Sequence, residues 1–378
     1  MHLARVTNRL CLLGGVLALL LASTPSHAAL TLTDYAANTR HFTMSTFASG
    51  FPVGGVGAGP FGVAYRADGA VLVDHYNGSI YIFPNHDDNQ VAGATLTTNY
   101  GTGPSLRGFV QIYSNGVYHY YIARQTANDV IEVSPTTGVL IRTVATVSQP
   151  IGLVGYPPPP LGPVSTHSGH LFASTAGGTI VEIDPTVAAP GNTTTFANLG
   201  AVGDGIAFSP DGSILYVAKP STNNILGYSV PPSGAGTLAY TSPAVGSGID
   251  GIAIGLGTLV GYLYTDHNDG TMWEIGLPGG PTPGSLNKIA DGGSRGDFIA
   301  IDPSVYSGGP SGFPSLLVTQ SDRIMRLDPP GGGWFGPPTS STTLQPAVVP
   351  AITTIGAIAV MLLLLGAGAV IAMRRRSA

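Results

Sequence analysis

Asp204-Gly205-Ile206-Ala207-Phe208-Ser209-Pro210-Asp211-Gly212-Ser213-Ile214-Leu215-Tyr216-Val217-Ala218 is the stretch from which the fold can be read. Two short apolar runs, 205–208 and 214–218, flank an Asp-Gly pair. Asp-Gly supplies the positive φ of a tight hairpin turn, so the stretch reads as two antiparallel strands. The opening returns as Asp250-Gly251-Ile252-Ala253 and, more loosely, as Asp297-Phe298-Ile299-Ala300.

Working outward, a unit of four short strands recurs. Its first strands begin near Gly62, Phe109, Gly152, Gly205, Gly251 and Phe298, 43 to 53 residues apart. That spacing is the size of a propeller blade. Asp68-Gly69 repeats the hairpin signal, and no helical period is found between the two ends of the chain. The sixth unit lacks a fourth strand, because the chain after Pro329 is too rich in Pro and Gly to pair in a sheet. His41 to Ser49 can supply it: Thr46-Phe47-Ala48 is echoed by Thr195-Phe196-Ala197, the outer strand before the fourth unit. The expected domain, residues 29–329, is an all-β, six-bladed propeller closed by an N-terminal strand. The alternative, two β-sandwiches, sits poorly with the even spacing.

Both ends read as targeting segments. Arg5 and Arg9, the apolar run 10–22 and Ser26-His27-Ala28 form a signal-peptide pattern over residues 1–28. The only cysteine, Cys11, lies within it, so the domain has neither disulfide nor thiolate chemistry. Residues 330–350 read as an extended Pro/Gly/Ser/Thr linker. Residues 351–373 are uncharged and long enough to span a bilayer, and Arg374, Arg375 and Arg376 follow. The expectation is one C-terminal transmembrane helix, with the domain on the periplasmic or cell-surface side and the tail cytoplasmic. Val349, Pro350 and Gly356 at the start of the apolar run, with the Arg cluster after it, resemble IPTL-CTERM/PEP-CTERM sorting signals. That resemblance implies an exosortase-type protease and the inner membrane as partners. A plain C-terminal anchor is the alternative.

Charged residues make up 9% of the chain and the net charge is −5. With no basic patch, nucleic acid is excluded as a partner.

Candidate chemistry lies at the strand starts. In a propeller the first strand of each blade lines the central channel, so Asp204, Asp250 and Asp297 are expected near one mouth. Carboxylates converging there suit a hard cation such as Ca²⁺. The same Asp-Gly pairs also serve simply to cap backbone N–H groups in turns. Asp74-His75-Tyr76-Asn77-Gly78 is echoed by Asp266-His267-Asn268-Asp269-Gly270. Asp74, His75, Asp266 and His267 are therefore candidates for acid–base or metal chemistry, against a reading as tight turns. Gly292-Gly293-Ser294-Arg295-Gly296 matches a nucleophile elbow by letter but lacks the following helix. Gly57 to Gly62 matches a dinucleotide fingerprint but opens a strand. His86-Asp87-Asp88-Asn89 reads as a solvated loop, and Pro157 to Pro160 as an exposed one.

These Asp-Gly strand starts resemble the gluconolactonase (regucalcin-like) and NHL-type propellers. In the gluconolactonase group, an Asn or Asp at this position ligates the metal. Asp204 and Asp250 match that pattern, and Asp297 matches less well because Phe298 replaces Gly. The first-blade Glu ligand of the group has no counterpart, since Pro60-Phe61 precede Gly62. The expectation is an envelope-anchored or surface-sorted propeller that binds a protein or glycan ligand. The alternative is a Ca²⁺-type lactone hydrolase.

Overall fold

The computed structural model describes residues 28–94, 96–101, 105–114, 116–156, 165–189, 192–302 and 314–335. Among the described residues six sheets follow one another along the chain, antiparallel throughout except where Gln90–Val91 lies parallel to Thr43–Ser49 at the edge of the sixth. Their innermost strands are Pro60–Tyr65, Leu106–Ser114, Pro150–Gly155, Ile206–Phe208, Ile249–Gly257 and Ile299–Asp302, which begin blades 1 to 6. Within each blade the next strands pair outward in sequence order.

The alternation of side chains explains the packing. In Leu171–Thr175, Phe172 points into the core shared with blade 4, while Leu171 and Ala173 point into the core shared with blade 2. Such cores join blades 1–2, 2–3, 3–4, 4–5, 5–6 and 6–1. Each sheet is thus apolar on both faces, and the ring buries both faces of every blade.

Thr43–Ser49 is the fourth strand of blade 6 and pairs antiparallel with Arg323–Asp328. The loop expected to be solvated is a clasp at this seam. Arg326, fully buried, donates to Asp302 and Asp88 at 2.8 Å each and to the His86 carbonyl at 2.6 Å. His86 also stacks on Tyr65, ring centroids 5.5 Å apart. Two further strands attach to blade 5. Thr31–Leu32 pairs with its outer strand. Gly333–Phe335, within the expected linker, pairs with the extension Gly255–Gly257 of its inner strand.

The expected transmembrane architecture is corrected. Among the described residues, the helices are the short segments Tyr35–Thr39, Gly55–Gly57 and Ala92–Ala94. None is long and apolar enough to cross a membrane, which takes about 20 residues. Among the described residues the fold is an all-β propeller without a membrane helix. Envelope anchoring, the inner membrane and an exosortase as partners, and a cytoplasmic tail have no support in it. The signal-peptide residues, Pro157 to Pro160 and the residues carrying the sorting motif (Val349, Pro350, Gly356, Arg374, Arg375 and Arg376) lie outside the described residues.

Candidate functional site

The inner strands touch one another at their first residues, and glycine makes this possible. A Cβ at Gly62 would collide with Phe109 N, one at Gly205 with the Asp250 carbonyl, and one at Gly251 with Ile299 N. Phe61 and Phe298 close the ring, with centroids 5.7 Å apart. This collar narrows the central channel. The cavity along the inner strands is only about 70 Å³, with Val63, Phe109, Leu153, Ile206 and Ile252 among its lining. Nothing larger than a few waters fits there, so chemistry belongs to the mouth at the collar.

One side of the mouth is apolar: Phe61, Ile151 and Phe298 cluster with Tyr76. The other is acidic, with Asp204, Asp250, Asp266 and Asp297 all buried. Burial, reinforced by Asp204, Asp297 and Asp266, drives the Asp250 carboxyl well above the usual range. Burial likewise pushes Asp266 up to about 8, against the Gly251 hydrogen bond. Both Asp250 oxygens, Asp204 Oδ1 and Asp266 Oδ2 have no hydrogen-bond partner. Asp297 differs. Arg295 Nε donates to its Oδ1 at 2.8 Å and Nη2 lies 2.6 Å from the same oxygen. Burial still raises Asp297 to about 6, opposed mainly by Arg295 and Arg107. Arg107 lies over the ring of Phe61 at 4.5 Å, and its Nε donates to Gln125 at 3.0 Å.

Asp204 and Asp250 therefore do not use their carboxylates as turn caps. The capping is done by the Asp-His pairs instead. Gly62 N donates to Asp74 Oδ1 at 2.7 Å, and Gly251 N to Asp266 Oδ1 at 2.6 Å. Ser174 holds Gly152 N at 2.9 Å, and Thr319 holds Phe298 N at 2.9 Å, from the same place on the second strand. The donors sit at or beside bulges where the inner strand turns into the collar. The second oxygens of Asp74 and Asp266 remain unpartnered.

The histidines are buried and structural. Asn77 N donates to His75 Nδ1 at 3.1 Å, so Nε2 carries the proton given to the Pro52 carbonyl at 2.8 Å. His267 Nε2 meets Thr265 Oγ1 at 2.8 Å. Burial lowers both rings to about 4, so they are neutral at pH 7. Ser294 Oγ accepts from Ser321 N at 3.0 Å and faces Gln320 Oε1 at 3.4 Å. The described residues that follow it directly, 295–302, lead into a strand and not a helix. Gly59 and Gly62 belong to the collar packing, with no phosphate loop.

The acidic set fits a cation only in part. Its donors are carboxylate oxygens, orphaned and buried, as a hard cation requires. Yet no three of these acids bring one oxygen each within 4.8 Å of the others. Among the described residues, the group that does so is His167, His170 and Glu182, far from the mouth. Sequence reasoning missed that group, along with Arg107 and Arg295.

No family model and no curated protein sequence matches the chain. Solved structures do. A protein provisionally assigned as a gluconolactonase superposes with TM-score 0.54 at 15% identity, covering 78% of this chain and 94% of its own. A luciferin-regenerating enzyme gives TM-score 0.54 at 10% identity, covering 80% and 99%. A calcium-binding regucalcin from Agrobacterium tumefaciens gives 0.50 at 14%, covering 75% and 94%. The fold is that of the gluconolactonase and regucalcin propellers. At such identities the likeness concerns the fold alone.

Proposed function

We propose that the protein is a divalent-cation-dependent hydrolase of lactones or similar cyclic esters, centred on the acidic side of the channel mouth. One observation carries the reading. Four carboxylate oxygens, from Asp204, Asp250 and Asp266, lie buried in one electrostatic cluster with no donor except one another. A buried carboxylate without partners is costly, and only a proton or a cation relieves it.

Asp204, Asp250 and Asp266 are the residues that would hold a Ca²⁺-like ion, and their carboxylates would have to draw together to do so. Arg295 already neutralises Asp297. The ion, when bound, supplies Lewis acidity toward an ester carbonyl. The apolar wall of Phe61, Tyr76 and Phe298 suits the carbon face of a small ring. Arg107, stacked on that wall, brings positive charge close to where an oxyanion would develop.

The test is pH-stat hydrolysis of glucono-1,5-lactone and a panel of related lactones, with calorimetric Ca²⁺ titration alongside. Asp204→Asn and Asp250→Asn should lose both bound Ca²⁺ and turnover while keeping the circular dichroism of the wild type. Ca²⁺-loaded wild type that turns over no lactone ends this reading.

A further inference from the structure

A second constellation lies on blade 3, away from the mouth. His167 and His170 occupy the turn leading into Leu171–Thr175, at the end of the blade opposite the collar. Glu182 lies on Thr179–Ile183, directly across from Phe172 in register. His167 Nδ1 is 2.7 Å and His170 Nδ1 is 2.6 Å from the same atom, Glu182 Oε1.

The other nitrogen of each ring is also engaged. His167 Nε2 lies 3.1 Å from the Pro231 carbonyl of blade 4, and His170 Nε2 lies 3.5 Å from Asp184 Oδ2. This is the outer arrangement that metal-ligating histidines adopt. One nitrogen gives its proton to a carbonyl or carboxylate, and the other is turned, lone pair outward, toward the ion. Here both Nδ1 atoms lie at hydrogen-bond distance from one carboxylate oxygen, so an entering ion displaces the protons they share with it, and three ligand atoms of the right kinds converge.

The site is also pre-arranged. His167 is 1% exposed and walled by Tyr156, Phe172 and Phe196, with centroids 5.7 to 6.0 Å from its ring. Beside the three ligands opens a cavity of about 350 Å³, bordered by Asn192, Thr194 and Gly234. It leaves room for a water or a small ligand in a fourth position.

We propose that His167 Nδ1, His170 Nδ1 and Glu182 Oε1 form a binding site for a divalent transition-metal ion of the zinc type. Two imidazoles and a carboxylate suit zinc rather than calcium, which takes oxygen ligands. Metal–ligand bonds of about 2.0 to 2.2 Å in a tetrahedron set ligand atoms about 3.3 Å apart. Withdrawal of Glu182 by less than an ångström brings its two distances to the histidines to that value. The ion would tie the turn at 165–170 to blade 3, with blade 4 supporting it through Pro231.

The test uses untagged, full-length protein stripped with a chelator and titrated with Zn²⁺ by calorimetry, and with Co²⁺ by visible absorption. One ion per chain is expected, with the intense Co²⁺ bands of four-coordinate geometry. Affinity should fall at least about 100-fold in His170→Gln and Glu182→Gln and stay unchanged in Asp250→Asn. His170 is partly exposed, so its variant keeps the fold. The proposal is overturned if the wild type takes up no Zn²⁺, if Co²⁺ gives only the pale spectrum of octahedral coordination, or if the His170 variant binds as the wild type does. Loss of the site in Asp250→Asn also overturns it by placing the ion at the mouth.

Discussion

The amide nitrogen of Gly251 lies 2.6 Å from Asp266 Oδ1, and the second oxygen of that carboxylate has no hydrogen-bond partner. Asp74 and Gly62 repeat the relationship in blade 1. One oxygen fixes the bulge that lets the inner strands meet, and the other is left as an uncompensated acceptor. Fold and electrostatics are coupled through single side chains.

That coupling predicts how stability depends on pH. Asp74 and Asp266 are raised to about 8 by burial, and Asp250 is also raised well above its ordinary value by burial and its acidic neighbours. An acid with a raised native pKa keeps its proton when folded and loses it when unfolded. Its contribution is therefore full below about pH 4 and is lost as pH rises through the native value. Above pH 6.5 the buried His75 and His267, neutral when folded, add only a fading slope of opposite sign as their unfolded forms lose their last protons, outweighed by the three acids. In chelator, the melting temperature should decline between pH 6.5 and 8, and Ca²⁺ should reverse the decline. His170 adds to the same slope: burial opposes its charge, but Glu182 and Asp184 outweigh burial and raise it. The deciding readout is therefore a flatter profile in Asp74→Asn and Asp266→Asn. Identical slopes in these variants and the wild type would contradict the assignment.

Ser174 offers a cleaner view of the same position in blade 3. Its hydroxyl accepts from Gly152 N at 2.9 Å and donates to the Asp204 carbonyl at 2.5 Å. Ser174→Ala strips both buried backbone groups of a partner. Urea unfolding should show a loss of about 1–3 kcal/mol.

Gly205 is a point of close approach between blades 4 and 5. In Gly205→Ala the added methyl meets the Asp250 backbone, which cannot step aside without moving the collar. A destabilisation of about 1–3 kcal/mol is expected. Ca²⁺ titration of the same variant should show weakened binding, because Asp250 moves with its backbone.

Arg326 ties the seam between blades 6 and 1. Arg326→Met leaves Asp302, which is fully buried, without that cation. Removing one partner of a buried pair costs about 3–5 kcal/mol. Chemical denaturation should register that loss, and salt should compensate little because the pair is shielded from solvent.

Much of this was legible in the sequence. Strand alternation and Asp-Gly turns repeat with a blade-sized period, and the unpaired sixth unit points to Thr43–Ser49. Asp204 and Asp250 stand out because the same residues recur at the same strand start. What stayed hidden depends on contacts between distant residues. Asp74 and Asp266 precede Asn-Gly and Asn-Asp-Gly, so they resemble turn residues until the bulge at Gly62 and Gly251 is seen. His86 and Asp88 resemble a solvated loop because Arg326 lies some 240 residues away. His167, His170 and Glu182 become one group only through the register of two strands. Hydropathy at 351–373 is a local property of composition, and it contributed an expected membrane helix that the described fold does not contain.

The attachment of both outlying strands to blade 5 has a consequence for how the ring comes apart. Ahead of the closing strand, Arg40 and Tyr35 converge on Glu274, with Arg40 Nη2 2.7 Å and the Tyr35 hydroxyl 3.0 Å from its carboxylate. Behind it, Phe335 packs on Phe42 and Tyr264. Fraying from either terminus must first peel chain from blade 5 before it reaches the zipper at Thr43–Ser49. The lock and the zipper lie on different blades, so a protease nibbling inward from the ends meets a safety catch before it can unlatch the circle.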